Sequence, residues 1–278
     1  MTKINDSFTV PVDAKPDRGE AAPELERLRD ELHAAEQRAA EIVREFDQIC
    51  YAISHDLRAP LRAIDGFSTI LLEDYRDRLD DQGKHYLQVV SDNSRKLNSY
   101  VEALLDMARI GRRTLNCVVL DMDALFAAAC ADFTATATDR QISFQIDSLP
   151  TAVADREMIR EVIVELVGNA VKFTRPRAEA VIRITGGTSG KENRYVVNDN
   201  GIGFDMQYAD KLFGLFQKLH GSDSFEGEGA GLARIRRILD RQGGQVWAEG
   251  NIDAGASFFF TLPAYDPAGH WSGKDKAS

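Results

Sequence analysis

The stretch YAISHDLRAPLRAIDGF, residues 51–67, places a histidine inside a helical pattern of apolar residues. On a helical wheel the directions of Ile53 and Leu57 differ by about 40°. His55 lies on the opposite side of that wheel, so we expect its ring to face solvent rather than a core. Pro60 removes one backbone hydrogen bond, and we expect it to kink the helix beside the histidine.

The apolar pattern extends in both directions from this stretch. Apolar or small residues recur at spacings of three and four from Leu25 to Ile53, which predicts a coiled coil over residues 22–53. After a charged turn, a second amphipathic helix is predicted over about 82–110. A hairpin of two amphipathic helices cannot bury both apolar faces alone. The sequence therefore predicts a homodimer, in which two hairpins form a four-helix bundle over residues 46–112.

Strand and helix patterns alternate irregularly over residues 115–264. The absence of a regular βαβ order favours a two-layer α/β sandwich with a mostly antiparallel sheet covered by helices. Residues 1–21 are predicted to be disordered and residues 265–278 to form a flexible tail. The predicted strands are LNCVVLDM, QISFQID, EAVIRIT, RYVVND, GQVWAEG and ASFFFTL, and the predicted helices are 121–137, 155–173 and 230–243.

Composition excludes several classes of protein. The formal charge of −10 and the lack of a long basic run argue against nucleic acid as a partner. Without an apolar run of about 18 residues, a membrane span is not expected, and no secretory signal is recognisable at the N-terminus. We therefore expect a cytoplasmic protein. Cys50, Cys117 and Cys130 fit neither a zinc motif nor a disulfide framework.

Three polar residues of the segment EVIVELVGNAVKFT share one face of a predicted helix. Glu165, Asn169 and Lys172 follow at intervals of four and three. The asparagine offers a neutral oxygen suited to Mg²⁺, and the lysine offers a positive charge for phosphate. Taken alone, this pattern favours an ordinary amphipathic helix with a polar stripe.

Two glycine-rich segments follow this helix. In VVNDNGIGFD, Asp199 ends a strand and two glycines come next, where they allow close backbone approach to a ligand. In GEGAGLARIRRIL, glycines lead into a helix whose N-terminal amides can bind an anion. The 23 residues between Gly203 and Gly227 are enough for a mobile loop over a nucleotide. These glycines are Gly201, Gly203, Gly227, Gly229 and Gly231.

The order of these motifs resembles that of two-component sensor histidine kinases, over about residues 46–263. SHDLRAPL resembles the H box, ELVGNAVKFT the N box and DNGIGF the G1 box. LFGLFQKLH resembles the F box and GEGAGLA the G2 box, and the details are closest to the bacteriophytochrome-like branch. The resemblance implies a Bergerat-type ATP-binding domain at 115–264, with ATP and Mg²⁺ as cofactors.

The resemblance also implies residue roles. His55 would accept the γ-phosphoryl group of ATP, and Asp56 would orient the imidazole or take its proton. Asn169 would bind Mg²⁺, Glu165 would position or deprotonate the attacking group, and Asp199 would bind the adenine amino group. The remaining nucleotide contacts would come from Lys172, Lys218, Phe216, Leu232 and the five glycines. The phosphoryl group would then pass to an aspartate in the receiver domain of a response regulator.

Two residues depart from the family pattern. Ala59, four residues after His55, stands where phosphatase-active relatives carry Thr or Asn, so weak phosphatase activity is expected. Glu228 stands between glycines of the G2 box, where its charge would repel the phosphates and limit nucleotide affinity. No sensor domain is recognisable, which suggests a separate sensor protein docking on the coiled coil. The alternatives are a kinase-like scaffold and another ATPase of the same fold, of the chaperone or mismatch-repair type.

Overall fold

The computed structural model describes residues 18–137, 140–217 and 229–265. The chain divides into two compact units, residues 1–46 and 47–278. The first helix, α1, spans Arg18–Asp74. Since it begins at Arg18, the expectation of disorder through residue 21 was wrong for residues 18–21. The prediction relied on the prolines and the glycine of this region. Glu20, Ala21 and Ala22, which follow Arg18 closely, are good helix formers.

The first unit contains the N-terminal half of α1. Its large apolar side chains are exposed in the single chain, Leu28 at 56% and Phe46 at 63%. The coiled coil expected over residues 22–53 therefore stays a prediction, because an exposed apolar row gains nothing without a partner helix.

The second unit begins with a helical hairpin, residues 47–112. A short 3₁₀ turn, Arg76–Arg78, connects α1 to α2, which spans Asp81–Arg112. Asp80 caps α2 by accepting a hydrogen bond of 2.7 Å from the amide of Gly83. The prediction of a second helix over about 82–110 is confirmed. α1 continues as a helix through Pro60.

The two hairpin helices bury only one side against each other. Leu61, Val101 and Leu105 form the small apolar cluster between them. Ser94 donates a hydrogen bond of 2.8 Å to the carbonyl of Leu61. A different side of the hairpin stays exposed and is rich in large apolar residues: Ile49, Ile53, Leu57, Ile64, Phe67 and Leu71 of α1, with Val90 and Leu97 of α2. We call this set the exposed apolar face.

The rest of the second unit is the predicted α/β sandwich. Its elements are β1 (Cys117–Leu120), α3 (Met122–Thr136), β2 (Ile142–Ile146), β3 (Ala152–Asp155), α4 (Arg156–Phe173), β4 (Ala180–Ser189), β5 (Glu192–Asp199), a 3₁₀ turn (Met206–Lys211), α5 (Gly231–Arg241), β6 (Val246–Asn251) and β7 (Gly255–Pro263). The order of strands in the sheet is β2-β4-β5-β7-β6, and among the described strands only the β2–β4 pairing is parallel. A separate antiparallel pair joins β1 to β3.

The core of this domain lies between the sheet and helices α3, α4 and α5. Ile163 and Leu166 of α4 and Phe260 of β7 are completely buried in it. Strand β3 was missed by the sequence analysis, which began a helix at Asp155. Asp155 belongs to both elements, since it ends β3 and also caps α4 by accepting from the amide of Met158 at 3.1 Å.

Candidate active site

The histidine of the hairpin faces solvent, as the helical wheel predicts. The side chain of His55 is 70% exposed, and its neighbour Ser54 is buried on the inner side. Nδ1 of His55 lies 3.3 Å from Oδ1 of Asp56. When that nitrogen carries the proton, Asp56 accepts it in a hydrogen bond and Nε2 is left as the nucleophilic nitrogen. Ala59 is exposed one turn further along α1.

Helix α4 carries the polar face that the sequence predicts. Glu165, Asn169 and Lys172 are all half-buried, while Leu166 and Ala170 between them are completely buried. Nζ of Lys172 lies 4.5 Å from the centre of the Phe173 ring. The helix thus buries its apolar side in the domain core and leaves its polar side partly exposed.

Asp199 is the buried acid of the site. It ends β5 at 2% exposure, and Oδ1 accepts a hydrogen bond of 2.8 Å from the amide of Gly201. Burial is the main cause that raises the pKa of this carboxyl to about 6, and hydrogen bonds from the amides of Gly201 and Ala256 oppose the rise. A buried acceptor of this kind can bind the amino group of a base.

The G1 glycines are required by contacts within the protein. A Cβ on Gly201 would lie 2.7 Å from the carbonyl oxygen of Phe173, at the end of α4. Gly203 has φ of 61°, and its Cβ would lie 1.8 Å from the carbonyl oxygen of Asn251. Both positions exclude any side chain. The G1 loop is thereby pressed between the N-box helix and the β6–β7 turn.

Arg177 was missed by the sequence analysis. Its guanidinium donates to the carbonyl oxygens of Asn200 at 2.9 Å and Gly201 at 2.8 Å. It also donates to the carbonyl of Asp253 at 2.6 Å. One side chain therefore fixes the G1 loop to the β6–β7 turn. No motif marks this residue, because all three acceptors are backbone atoms.

The G2 box meets the N box at the start of α5. Gly231 is the first residue of α5, and a Cβ there would lie 2.3 Å from Oε2 of Glu165. Arg234, one turn later, donates a short hydrogen bond to Oε1 of the same carboxylate. Gly229 has φ of 74°, and Leu232 packs against the domain core. The structure thus brings together the N, G1 and G2 boxes.

The F box lies against the hairpin. Phe216 has φ of 61°, and its ring centre is 4.3 Å from that of Tyr100 in α2. The family resemblance implies that Phe216 contacts the nucleotide, whereas in the structure the Phe216 ring contacts the hairpin. Lys218, Gly227 and Glu228 lie outside the described residues.

Two family models match the chain. Residues 47–113 match the His Kinase A (phospho-acceptor) domain, which contains His55. Residues 154–266 match the histidine kinase-, DNA gyrase B-, and HSP90-like ATPase family. The N, G1 and G2 boxes lie within this range. The chain belongs to the sensor histidine kinases. The family resemblance inferred from the order of the boxes is confirmed.

Relatives and solved structures agree with this assignment. The kinase is 26% identical to phytochrome-like protein Cph1 of Synechocystis sp. over 79% of this chain, and it spans 29% of the length of Cph1. The structure of full-length ShkA in complex with AMPPNP aligns with a TM-score of 0.55 at 26% identity, over 78% of this chain and 45% of ShkA. Histidine kinase ThkA, solved in complex with response regulator protein TrrA, shares the fold. That alignment has a TM-score of 0.51 at 23% identity, over 90% of this chain and 68% of ThkA.

The part of the chain that the structure describes contains neither a membrane span nor a metal cluster. Across residues 18–137, 140–217 and 229–265, none of the helices combines the length and apolar composition needed to cross a bilayer. Within the same residues, no group of three or more His, Cys, Asp or Glu side chains could hold a metal ion. Asn169 fits a Mg²⁺ that is bound mainly by nucleotide phosphates, since such ions keep several water ligands and need few protein ligands.

Proposed function

We propose that this protein is an ATP-dependent histidine kinase that phosphorylates itself on His55. The phosphoryl group then passes to an aspartate in the receiver domain of a response regulator. The observation that carries the proposal is the exposed His55 with its ring bonded to Asp56, on the same chain as the buried Asp199 and the N, G1 and G2 boxes.

The phosphotransfer step follows from the tautomer that Asp56 favours. The lone pair of Nε2 attacks the γ-phosphorus, an N–P bond forms, and the bond to the β–γ bridging oxygen breaks to release ADP. The ring becomes cationic during attack, and Asp56, 3.3 Å from Nδ1, stabilises that charge or accepts the Nδ1 proton. Little covalent work is required of the protein beyond placing the reactants and stabilising charge.

The ATP-binding domain would supply the nucleotide contacts. Asp199 would accept a hydrogen bond from the adenine amino group, and Lys172 would contact phosphate. Asn169 would hold Mg²⁺, which neutralises charge on the phosphates when it is bound. Glu165 would position or deprotonate the attacking group. Because the reaction consumes ATP, we propose an intracellular location.

We further propose that the kinase works as a homodimer. The exposed apolar face of the hairpin supports this, because large apolar patches on one protein surface mark interaction sites. Pairing two such faces would give a four-helix bundle, and the apolar row of the N-terminal half of α1 would pair as a coiled coil. A separate sensor protein would dock on that coil. The solved complex of ThkA with its response regulator supports a receiver domain as the partner.

The test is transfer of label from γ-labelled ATP in the presence of Mg²⁺. We expect label that is labile in acid and stable in base, located on His55, and absent from His55→Gln. Binding of a fluorescent ATP analogue should be equal in both proteins, which shows that the variant folds. ATP hydrolysis without label would indicate another ATPase, and neither activity would indicate a scaffold.

A further inference from the structure

Arg234 contacts carboxylates from two different parts of the molecule. One guanidinium nitrogen bonds Glu165 of the N-box helix, as described above. The other, Nη1, lies 3.9 Å from Oδ2 of Asp106 in α2. The side chain of Arg234 is 32% exposed, so solvent screens these charges only in part. A single side chain thus joins the ATP-binding domain to the hairpin.

Two residues of α5 hold the carboxylate of Glu165 in place. Gly231 and Arg234 are three residues apart and lie on the same face of α5. The missing side chain of Gly231 leaves room for Oε2 of Glu165, while Arg234 bonds Oε1. The carboxylate also lies at the N-terminal turn of a helix, where the helix dipole favours a negative charge. Its orientation is therefore set by α5.

The position of Asp106 in α2 can be compared with that of the proposed phosphoacceptor, His55. Two contacts join the antiparallel hairpin helices on either side of His55. Arg58 pairs with Glu102, with Nη2 to Oε1 at 2.9 Å. The guanidinium of Arg112 lies 5.0 Å from the ring centre of Tyr51.

His55 lies between the α1 members of these two contacts, and Asp106 lies between their α2 members. Both helices rise by about 1.5 Å per residue, so Asp106 and His55 occupy the same level along the hairpin. In a parallel two-fold dimer the histidine of either subunit would share that level. Arg234 therefore reaches the hairpin at the height where phosphotransfer would occur.

Other contacts hold the ATP-binding domain along α2. Arg241, at the C-terminal end of α5, donates to the carbonyls of Ile110 and Arg113, the latter at 2.6 Å. Phe216 packs on Tyr100 further down α2. The Arg234–Asp106 contact lies between these two, within an interface that extends along several turns of α2.

We propose that Arg234 is a positioning residue of phosphotransfer, which orients the Glu165 carboxylate and, through Asp106, sets it at the level of His55. This inference rests on the proposed kinase function. Arg234 acts through Glu165 and does not itself contact the reacting atoms. Its loss should slow the chemical step while leaving nucleotide binding intact.

The experiment compares initial rates of His55 labelling at saturating ATP with dissociation constants for a fluorescent ATP analogue. Arg234→Gln should lower the rate roughly tenfold or more, the size expected for losing a hydrogen bond to a charged group. Arg234→Lys should recover part of the rate. Asp106→Asn should lower it about two- to fivefold, since that pair is longer and more exposed. The dissociation constant should stay within about twofold in all three.

Matched controls lie on the same helices. Arg236 is exposed on α5, two residues from Arg234, and Arg236→Gln should leave the rate unchanged. Asp92→Asn is the equivalent control on α2, because its pairing with Arg95 stays within that helix. Thermal unfolding of every variant shows whether a lower rate reflects loss of the fold.

A double variant decides whether Arg234 acts through Glu165. If it does, Arg234→Gln should cost little further rate in a Glu165→Gln background, since the two changes remove one interaction. Fully additive losses, an unchanged rate in Arg234→Gln, or a faster rate in Asp106→Asn would each overturn the proposal. Absence of label in the wild-type protein would instead refute the kinase function, which the same measurement separates from a failure of Arg234 alone.

Discussion

The ATP-binding domain and the helical hairpin differ in the exposure of their large apolar side chains. In the domain, Phe260 and Ile163 are completely buried within one continuous core. In the hairpin, Phe67 is 68% exposed and Ile53 is 53% exposed. The domain is thus complete as a single chain, whereas the hairpin leaves an apolar face to be covered.

This difference separates the two tasks of the molecule. A nucleotide site needs a preorganised core behind it, and the domain supplies one behind Asp199 and the N-box helix. The proposed phosphoacceptor needs exposure, and His55 has it because its side chain points away from the inner side of the hairpin, where its neighbour Ser54 is buried. The packed core of the domain holds the nucleotide site in place, and the hairpin leaves His55 accessible.

The largest expected effect comes from removing one phenylalanine from each region. Phe260→Ala should lower the free energy of unfolding of the ATP-binding domain by about 3–5 kcal/mol, because it leaves a cavity in a packed core. Phe67→Ala should change the same quantity by less than about 0.5 kcal/mol, while weakening the proposed dimer. Urea unfolding followed by the fluorescence of Trp247, which stacks on Phe259 in the domain, measures the first effect.

Analytical ultracentrifugation measures the effect of Phe67→Ala on dimerisation. A loss of domain stability in Phe67→Ala as large as that in Phe260→Ala would break the contrast, because the two regions would then unfold as one cooperative unit. Retention of the wild-type dimer would remove Phe67 from the proposed interface.

The second prediction concerns the nucleotide site alone. Asp199→Asn should weaken binding of ADP roughly ten- to hundredfold, as expected when a hydrogen bond to a charged group is lost. The pKa of Asp199, about 6 against an ordinary 3.8, adds a pH dependence. The carboxylate must be ionised to accept the adenine amino group, so ADP affinity should fall as pH falls through about 6.

Titration calorimetry at pH 7.5 and pH 5 tests this dependence. Protonation of Asp199 should cost about tenfold in affinity at pH 5, and Asp199→Asn should abolish that part of the loss. The phosphates of ADP titrate equally in both proteins, so the difference isolates Asp199, and the exposed Asp210→Asn serves as control. An identical pH dependence in Asp199→Asn would contradict the assigned role. The same raised pKa favours folding below pH 3.8, and this contribution is lost as pH rises through about 6.

The smallest effect is expected on the hairpin surface. We propose that phosphatase activity toward the regulator is weak because Ala59, exposed one turn from His55, cannot orient a water molecule. Ala59→Thr should raise dephosphorylation of a phosphorylated receiver domain a few-fold, roughly the gain from one positioned hydrogen bond. Ala63→Thr, the same change one turn further along the exposed side of α1, is the control. A rate equal in the two variants would show that water positioning at residue 59 does not limit the reaction.

Residues close together along one element could be predicted from the sequence. The orientation of His55 follows from helical geometry, and the shared face of Glu165, Asn169 and Lys172 follows from their spacing. Asp199 at a strand end is likewise a local pattern. The order of the boxes then identified the family, although each box alone is weak.

Contacts between distant segments could not be predicted in this way. Arg234 meets Asp106 only because α5 packs along α2, and nothing in either local sequence marks the partner. The acceptors of Arg177 are backbone carbonyls, which leave no trace in residue identity. Strand β3 was missed because four residues preceding a capped helix are too few for a period of two to be recognised.

The three carbonyls that engage Arg177 also have a consequence for proteolysis. A protease that cleaves after arginine must take the side chain into its own pocket, which the folded G1 loop prevents by binding the guanidinium. Arg175 precedes a proline, which such proteases cut poorly, so the bond after Arg177 is the informative one in this segment. Cleavage there would occur only when the loop separates from the β6–β7 turn, and its rate would report the opening of the nucleotide site in the intact protein.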